Sequence, residues 1–253
     1  SVILGKYFNP QAVGNYNQAN KWNGTGHQFI TGMMGSVAQP VLASINDDRE
    51  RSLRVFRKIL RFCAFLAFPA MFGLSIVTHE LILITVGGKW TGSIPLMQLL
   101  CIGGAFIPLN TLFSNLIISQ GKSNIYMWNI IAQVVLQLAT VLTIVRFGGS
   151  IHTMVITGVC INILWLFVWQ RFARRFIRLS LRMLLLDIAP FLLTALIACA
   201  SGWVVSEWTG GPLLVTFLTK IITAAACYFL IMKLAHAEIL QECLDYFFKK
   251  KRP

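Results

Sequence analysis

Seven stretches of the chain are dominated by apolar residues and, with His counted as neutral, are free of charge: 22–45, 62–79, 90–121, 123–145, 147–170, 188–206 and 208–232. Lys220 interrupts the last of them. A helix that crosses a bilayer needs about 20 mostly apolar residues, and each stretch is close to that length or beyond it. None alternates apolar and polar residues as a membrane β-strand does. The pattern therefore predicts an all-α integral membrane protein with seven transmembrane helices. The connections are short and turn-like, as in Gly87-Gly88-Lys89, Gln120-Gly121-Lys122, Gly148-Gly149-Ser150 and Gly210-Gly211-Pro212, so sequential helices should be antiparallel neighbours. Residues 1–21 are too polar to cross and predict the end of an earlier helix (Val2, Ile3, Leu4) followed by a periplasmic loop.

Composition narrows the class. Of 253 residues 12% are charged and 56% hydrophobic, against about 25% charged in a soluble domain. Such a chain cannot cover itself with a charged surface, which excludes an ordinary cytosolic enzyme or a disordered protein. The first residue is Ser1 and no signal-peptide pattern opens the chain, so the expectation is a sequence that starts inside a longer protein. The six cysteines are scattered, form no C-x-x-C pair and lie mostly in apolar stretches. They read as small buried residues.

The net charge of +13 invites a nucleic-acid reading, but its distribution argues for a membrane. Seventeen Lys and Arg fall on one side of the predicted topology, in 49–61, at Lys122, in 171–182 and in the tail. Only Lys6, Lys21, Lys89 and Arg146 fall on the other. Cytoplasmic loops carry the excess of Lys and Arg, so the C-terminus is expected in the cytoplasm and nucleic acid is not expected as a partner. Arg171, Arg174, Arg175, Arg178 and Arg182 share one face at helical spacing, opposite Phe172, Phe176, Leu179 and Met183. This predicts an amphipathic cytoplasmic anchor helix over 171–186, lying in the headgroup layer. The tail repeats the device with Ile239, Leu240, Cys243, Leu244, Phe247 and Phe248 before its Lys and Arg run.

Catalytic patterns fail on inspection. His79-Glu80 opens like a zincin motif, but Leu83 stands where the second His belongs. Gly121-Lys122-Ser123 ends like a phosphate-binding loop, but Leu116 replaces the required glycine. The glycosylation pattern Asn23-Gly24-Thr25 has no supporting context, and the four histidines (27, 79, 152, 236) are far apart. No catalytic residue, metal ligand or cofactor is expected, and the chain reads as something other than an enzyme.

Polar residues inside apolar spans are costly and so informative. Gln28, Gly32, Gly35 and Gln39 share a face ahead of Pro40. Asn110 and Asn115 lie near Pro108 and Gly103-Gly104, which predicts a bent or broken third span. These Asn and Gln residues fit either interhelical hydrogen bonds or the wall of a cavity. Gln28, Gln39, Asn110 and Asn115 are the substrate-cavity candidates, whereas Gln133, Gln137 and Asn162 fit interhelical bonding better. Lys220, near the middle of the last span, needs a partner: a lipid phosphate, a backbone carbonyl or Asp187.

Three stretches carry a family resemblance. Residues 3–16, with Leu4-Gly5, Pro10, Val13-Gly14 and Tyr16, resemble the Leu-Gly…Pro-x-x-Val-Gly-x-Tyr turn of Wzx-type polysaccharide transporters. Residues 87–96, with Trp90 and Ile94-Pro95, resemble their Gly-x-x-Trp…Ile-Pro loop. Residues 117–124 resemble their polar turn before the fifth helix of a lobe, and the basic loop 47–61 also fits. The resemblance covers essentially the whole chain. It implies the C-terminal half of a fourteen-helix transporter: most of the second six-helix lobe plus two additional C-terminal helices. It implies alternating access that flips polyprenyl-diphosphate-linked oligosaccharide (O-antigen, capsule or exopolysaccharide units) across the inner membrane, usually with coupling to an ion such as H+ or Na+. Expected partners are the lipid bilayer, that lipid-linked substrate and an N-terminal lobe of the same protein. The resulting division is five lobe spans in 22–170, the interfacial helix in 171–186, two further spans in 187–233 and a basic tail in 234–253. A cation-coupled multidrug exporter of the same superfamily is the first alternative, and a membrane-embedded polysaccharide polymerase or ligase the second.

Overall fold

The computed structural model describes residues 7–45, 48–235 and 239. Several α-helices begin at a side-chain cap or a proline, and some end at a left-handed residue. Helix α1 (Pro10–Ser44) begins where the Asn9 side chain accepts the Gln11 N–H at 3.0 Å, with Pro10 at the first helical position. A proline there loses nothing, because the first-turn N–H groups have no partner within the helix. Residues 10–21 are thus the first three turns of a 35-residue helix, about 52 Å long at 1.5 Å per residue. The loop expected over 1–21 is corrected to that extent. The polarity of Asn17 and Asn20, three residues apart and both exposed, marks one face of a helix rather than a connection, while residues 1–6 lie outside the described part.

Helix α2 (Arg49–Ile76) is capped by Asp48, whose carboxylate accepts the N–H groups of Glu50 and Arg51. A short α3 (Thr78–Thr85) and a 3-10 turn (Gly88–Ser93) lead to α4 (Ile94–Gly104). The chain breaks at Ala105 and Phe106 and resumes as α5 (Ile107–Ser119) with Pro108 in its first turn. This is the expected break in the third span. Pro108 has no N–H to give to the Gly104 carbonyl, and at the break the Gly103 carbonyl accepts both the Phe106 N–H and the Asn162 side-chain amide, each at 3.1 Å.

Helices α6 (Ser123–Arg146) and α7 (Ile151–Ile177) follow, then α8 (Leu181–Thr209) and α9 (Leu213–Leu234). The tight turns at Gly121, Gly148 and Gly210 have positive φ. The single interfacial helix expected over 171–186 is not formed. Residues 171–177 are the last two turns of α7, Arg178 turns the chain at φ 58°, and Ser180 caps α8 by accepting the Met183 N–H. Leu179, fully buried, accepts a hydrogen bond from the Gln170 amide at 2.8 Å. Burying Leu179 and capping with Ser180 decide against continuing the helix, and a spacing argument carried across 178 could not register this.

Six segments are long and apolar enough to cross a membrane, counting α4 and α5 with their leading 3-10 turn as one. Helix α1 is not among them, so among the described residues the count is six rather than seven. The core is formed by Phe56, Leu60, Phe68, Met71, Leu109 and Phe113. Around it α1 packs on α4 and α5, α7 on α4 and α5, and α2 on α8, while α6 leans on α7 and the end of α5.

The α8–α9 hairpin is fastened to the bundle at three levels. The Asp187 carboxylate, 3% exposed, receives Arg57 Nε at 2.6 Å and Arg61 Nε at 2.7 Å. The Tyr228 hydroxyl donates to the Phe65 carbonyl at 3.0 Å. Lys220 Nζ lies 2.7 Å from Glu80 Oε1 and 3.3 Å from the Ile76 carbonyl. The hairpin itself needs Gly202, where a Cβ would stand 2.8 Å from the Lys220 carbonyl oxygen.

Candidate functional site

A half-open cavity of about 410 Å³ lies between α1, the α4–α5 break, α6 and α7. Its polar wall is contributed by Asn20 and Asn23 of α1, Gln137 and Thr140 of α6, and Thr157 and Asn162 of α7. The site exists because three helices each supply something at the break. Gly103 and Gly104 lack side chains, and a Cβ on Gly104 would meet Asn23 Oδ1 at 2.2 Å. The space that glycine leaves is what lets Asn23 enter.

The amides form a ladder. Asn110 Nδ2 donates to the Asn162 backbone carbonyl at 3.0 Å and to its Oδ1 at 2.9 Å, and Asn162 Nδ2 donates to Gly103. The ladder fixes two half-helices against α7 with neutral groups only. Carboxamides donate and accept, which suits hydroxyl-bearing ligands.

The structure separates the four cavity candidates. Gln28 and Gln39 lie on the exposed face of α1, with Gly32 between them. Asn110 belongs to the ladder at the break. Asn115, 7% exposed, is buried in α5 with Nδ2 unpartnered. Lys220 is 6% exposed and held by Glu80 and Ile76. Asp187, the other acid considered for it, is occupied by Arg57 and Arg61. Arg171, Arg174, Arg175, Arg178 and Arg182 are all exposed and gather near the α7–α8 turn.

Hydropathy assigns Asn20 to a loop and Asn23 reads as a sequon, so neither is predicted to line the cavity in which both stand. Their signal was the Asn9-Pro10 start, which makes residues 16, 20 and 23 one helical face.

The geometry is that of a polar-walled transmembrane bundle, and comparison with known proteins adds the family. A family model described as polysaccharide biosynthesis protein matches residues 1–95. Over those residues the chain is similar to that family. The Leu-Gly…Tyr turn and the Trp90 loop that carry the resemblance both fall within the match.

An uncharacterized membrane protein in the cps region of Klebsiella pneumoniae is 31% identical over 120 residues, 47% of this chain and 24% of that protein. The lipopolysaccharide biosynthesis protein WzxC of Escherichia coli K12 is 26% identical over 125 residues, 49% of this chain and 25% of its own length. The teichuronic acid biosynthesis protein TuaB of Bacillus subtilis is 22% identical over 167 residues, 66% of this chain and 32% of its own length. The matched stretches thus span about a quarter to a third of these relatives. The chain is a multi-pass membrane protein of polysaccharide-transporter kinship.

Proposed function

We propose that the chain is the C-terminal part of a flippase that moves polyprenyl-diphosphate-linked oligosaccharide across the inner membrane by alternating access. One observation carries the reading: the long α1 turns an uncharged polar strip outward, Gln28, Gly32, Ser36 and Gln39, beside exposed Phe29 and Val37. Its other face packs on α4 and α5 through Ile30, Met34, Ala38 and Leu42. In a membrane bundle a polar face of that length must meet protein or water, because lipid would leave its amides unpaired. A water-filled cavity shared with a second lobe meets that need, and a neutral carboxamide wall suits sugar hydroxyls. The printed roles of the relatives, lipopolysaccharide and teichuronic acid biosynthesis, support the same substrate class. In this reading the C-terminus is cytoplasmic, the arginines of 171–182 sit in the headgroup layer, and the protein moves its substrate without altering it.

The alternative exporter needs an acidic residue free to exchange a cation. Glu80 and Asp187 are both committed to ion pairs and Glu207 lies exposed near the end of α8, so no observation among the described residues favours it. The test is Gln28→Leu with Gln39→Leu in the full-length protein. Oligosaccharide translocation should fall at least about tenfold, a loss worth roughly 1.4 kcal/mol, with membrane abundance unchanged. Wild-type translocation in the double variant would refute a cavity on this face.

A further inference from the structure

Among the described residues, eight buried side-chain nitrogen and oxygen atoms have no hydrogen-bond partner in the protein. They are not spread evenly. Four fall within ten residues of α1: Trp22 Nε1, Asn23 Oδ1, His27 Nδ1 and Thr31 Oγ1. On α5, Asn115 Nδ2 is unpartnered too, as is Asn110 Oδ1 on the side chain that reaches Asn162 of α7. Buried polar groups in proteins are almost always satisfied, by protein or by bound water. Four such donors and acceptors on one stretch of α1 are the signature of a hydrated seam along that helix, since dry packing would strand all of them.

Asn23, His27 and Thr31 are spaced i, i+4 and i+8, so they follow one another along a single edge of α1. That edge borders the cavity at Asn20 and Asn23 on one side and the outward polar face at Gln28 on the other. His27 is half-buried within it.

The charges nearby are few. On α1 itself the other titratable groups among the described residues are Tyr16 and Lys21. Helix α4 contributes only the buried Cys101 thiol, α5 contributes none, and the 3-10 turn contributes Lys89. On α2 the groups are Cys63 and, at its start, Arg49, Glu50, Arg51, Arg54, Arg57, Lys58 and Arg61. A Cβ at Gly26, beside His27, would meet Met71 and Leu74 of α2. That level is ten residues past Arg61, about 15 Å along the helix. No carboxylate of these elements therefore reaches His27 to hold it as an imidazolium, and no cation sits against it.

We propose that His27 is a proton-binding residue on α1, next to the polar-walled cavity that Asn20 and Asn23 line, reached through a hydrated seam along that helix. Its imidazole is the side chain whose charge ordinarily changes near neutral pH. Protonation adds one positive charge to a face that is otherwise neutral from Thr25 to Gln39, and that charge favours the state in which water or an anionic group lies against α1. The proton comes from water on one side of the membrane and returns to water on the other, and no bond of the substrate is made or broken. The link to translocation rests on the flippase reading; the proton site itself does not.

The experiment uses the full-length protein in liposomes. Diethyl pyrocarbonate carbethoxylates neutral imidazole, and peptide mass spectrometry separates His27 from His79, His152 and His236. His27 labelling should rise along a single titration as the pH is raised from about 4 to 8. Thr31→Val with Asn23→Leu, which removes polar groups from the seam, should slow it several-fold. Translocation by wild type should change across the same window, and His27→Gln should flatten that dependence. Labelling that is absent or flat at every pH, or a His27→Gln protein with the wild-type pH profile, would overturn the proposal. If His27→Gln fails to reach the membrane, the wild-type labelling curve still decides. A titrating His27 in a protein that translocates no oligosaccharide would uphold the proton site and refute the flippase reading.

Discussion

Replacing Lys220 by Met tests how the C-terminal hairpin is held. The Lys220 and Glu80 side chains are 8% and 4% exposed, with Nζ and Oε1 2.7 Å apart. Lys220 also donates to the Ile76 carbonyl at 3.3 Å, and Glu80 Oε2 already has no partner. Removing the ammonium leaves a buried carboxylate with no hydrogen-bond donor on either oxygen among the described residues. Breaking such a pair from one side costs about 3–5 kcal/mol, whereas replacing both partners by apolar residues is often neutral or stabilising. Glu80→Gln should cost less, about 1–3 kcal/mol, because the amide oxygen and the Ile76 carbonyl still accept from Lys220. The double variant Lys220→Met, Glu80→Leu should return to within about 1 kcal/mol of wild type. The assay is reversible unfolding in mixed micelles with increasing SDS, followed by tryptophan fluorescence and analysed as a double-mutant cycle. A Lys220→Met protein as stable as wild type, or a double variant at the sum of the singles, would refute the ion pair as the fastening element.

Three further outcomes follow from the same geometry. Asn162→Val removes both the donor to Gly103 and the acceptor for the Asn110 amide; it should cost roughly 1–2 kcal/mol in the same unfolding assay, and no loss would make the ladder incidental. Gly104→Ala puts a methyl where Asn23 Oδ1 stands 2.2 Å away, and by overpacking should cost about 1–3 kcal/mol, partly rescued by Asn23→Ala; an unrescued loss would place the conflict elsewhere. Cysteines at Gly149 and Gly210 should react with an impermeant thiol reagent from the periplasm and those at Arg174 and Arg175 only from the cytosol, so reversed labelling overturns the topology.

Much of this architecture was legible in the residues. Gly103-Gly104 and Pro108 announced the broken third span, because proline removes a donor and glycine admits a neighbour. The short glycine turns marked where helices end, at Gly121, Gly148 and Gly210. Two things were not legible, for physical reasons. Polarity in 10–21 counts against a lipid-facing helix, but α1 faces protein on one side and offers amides on the other, and a span-by-span hydropathy reading cannot see that division. The arginine periodicity of 171–182 assumes one continuous helix, and a left-handed residue at Arg178 with a serine cap two positions later resets it. Partners of Lys220 and Asp187 depended on which helices meet across more than 120 positions, which spacing does not encode. Among the site residues, Gln28 and Gln39 were placed on a helical face by pattern alone. Asn23, His27 and Thr31 form a pattern only once the start of α1 is known.

The central claim is that this chain helps carry a lipid-linked oligosaccharide across the membrane. The most direct measurement removes the full-length gene, extracts polyprenyl-linked oligosaccharides and determines their leaflet by access of a lectin or glycosidase to sealed inverted and right-side-out vesicles. The account predicts that completed units accumulate on the cytoplasmic leaflet and that the intact gene reverses this. Units accumulating on the periplasmic leaflet would point to polymerisation or ligation instead, and unchanged pools with new sensitivity to cationic drugs would contradict the account in favour of drug export.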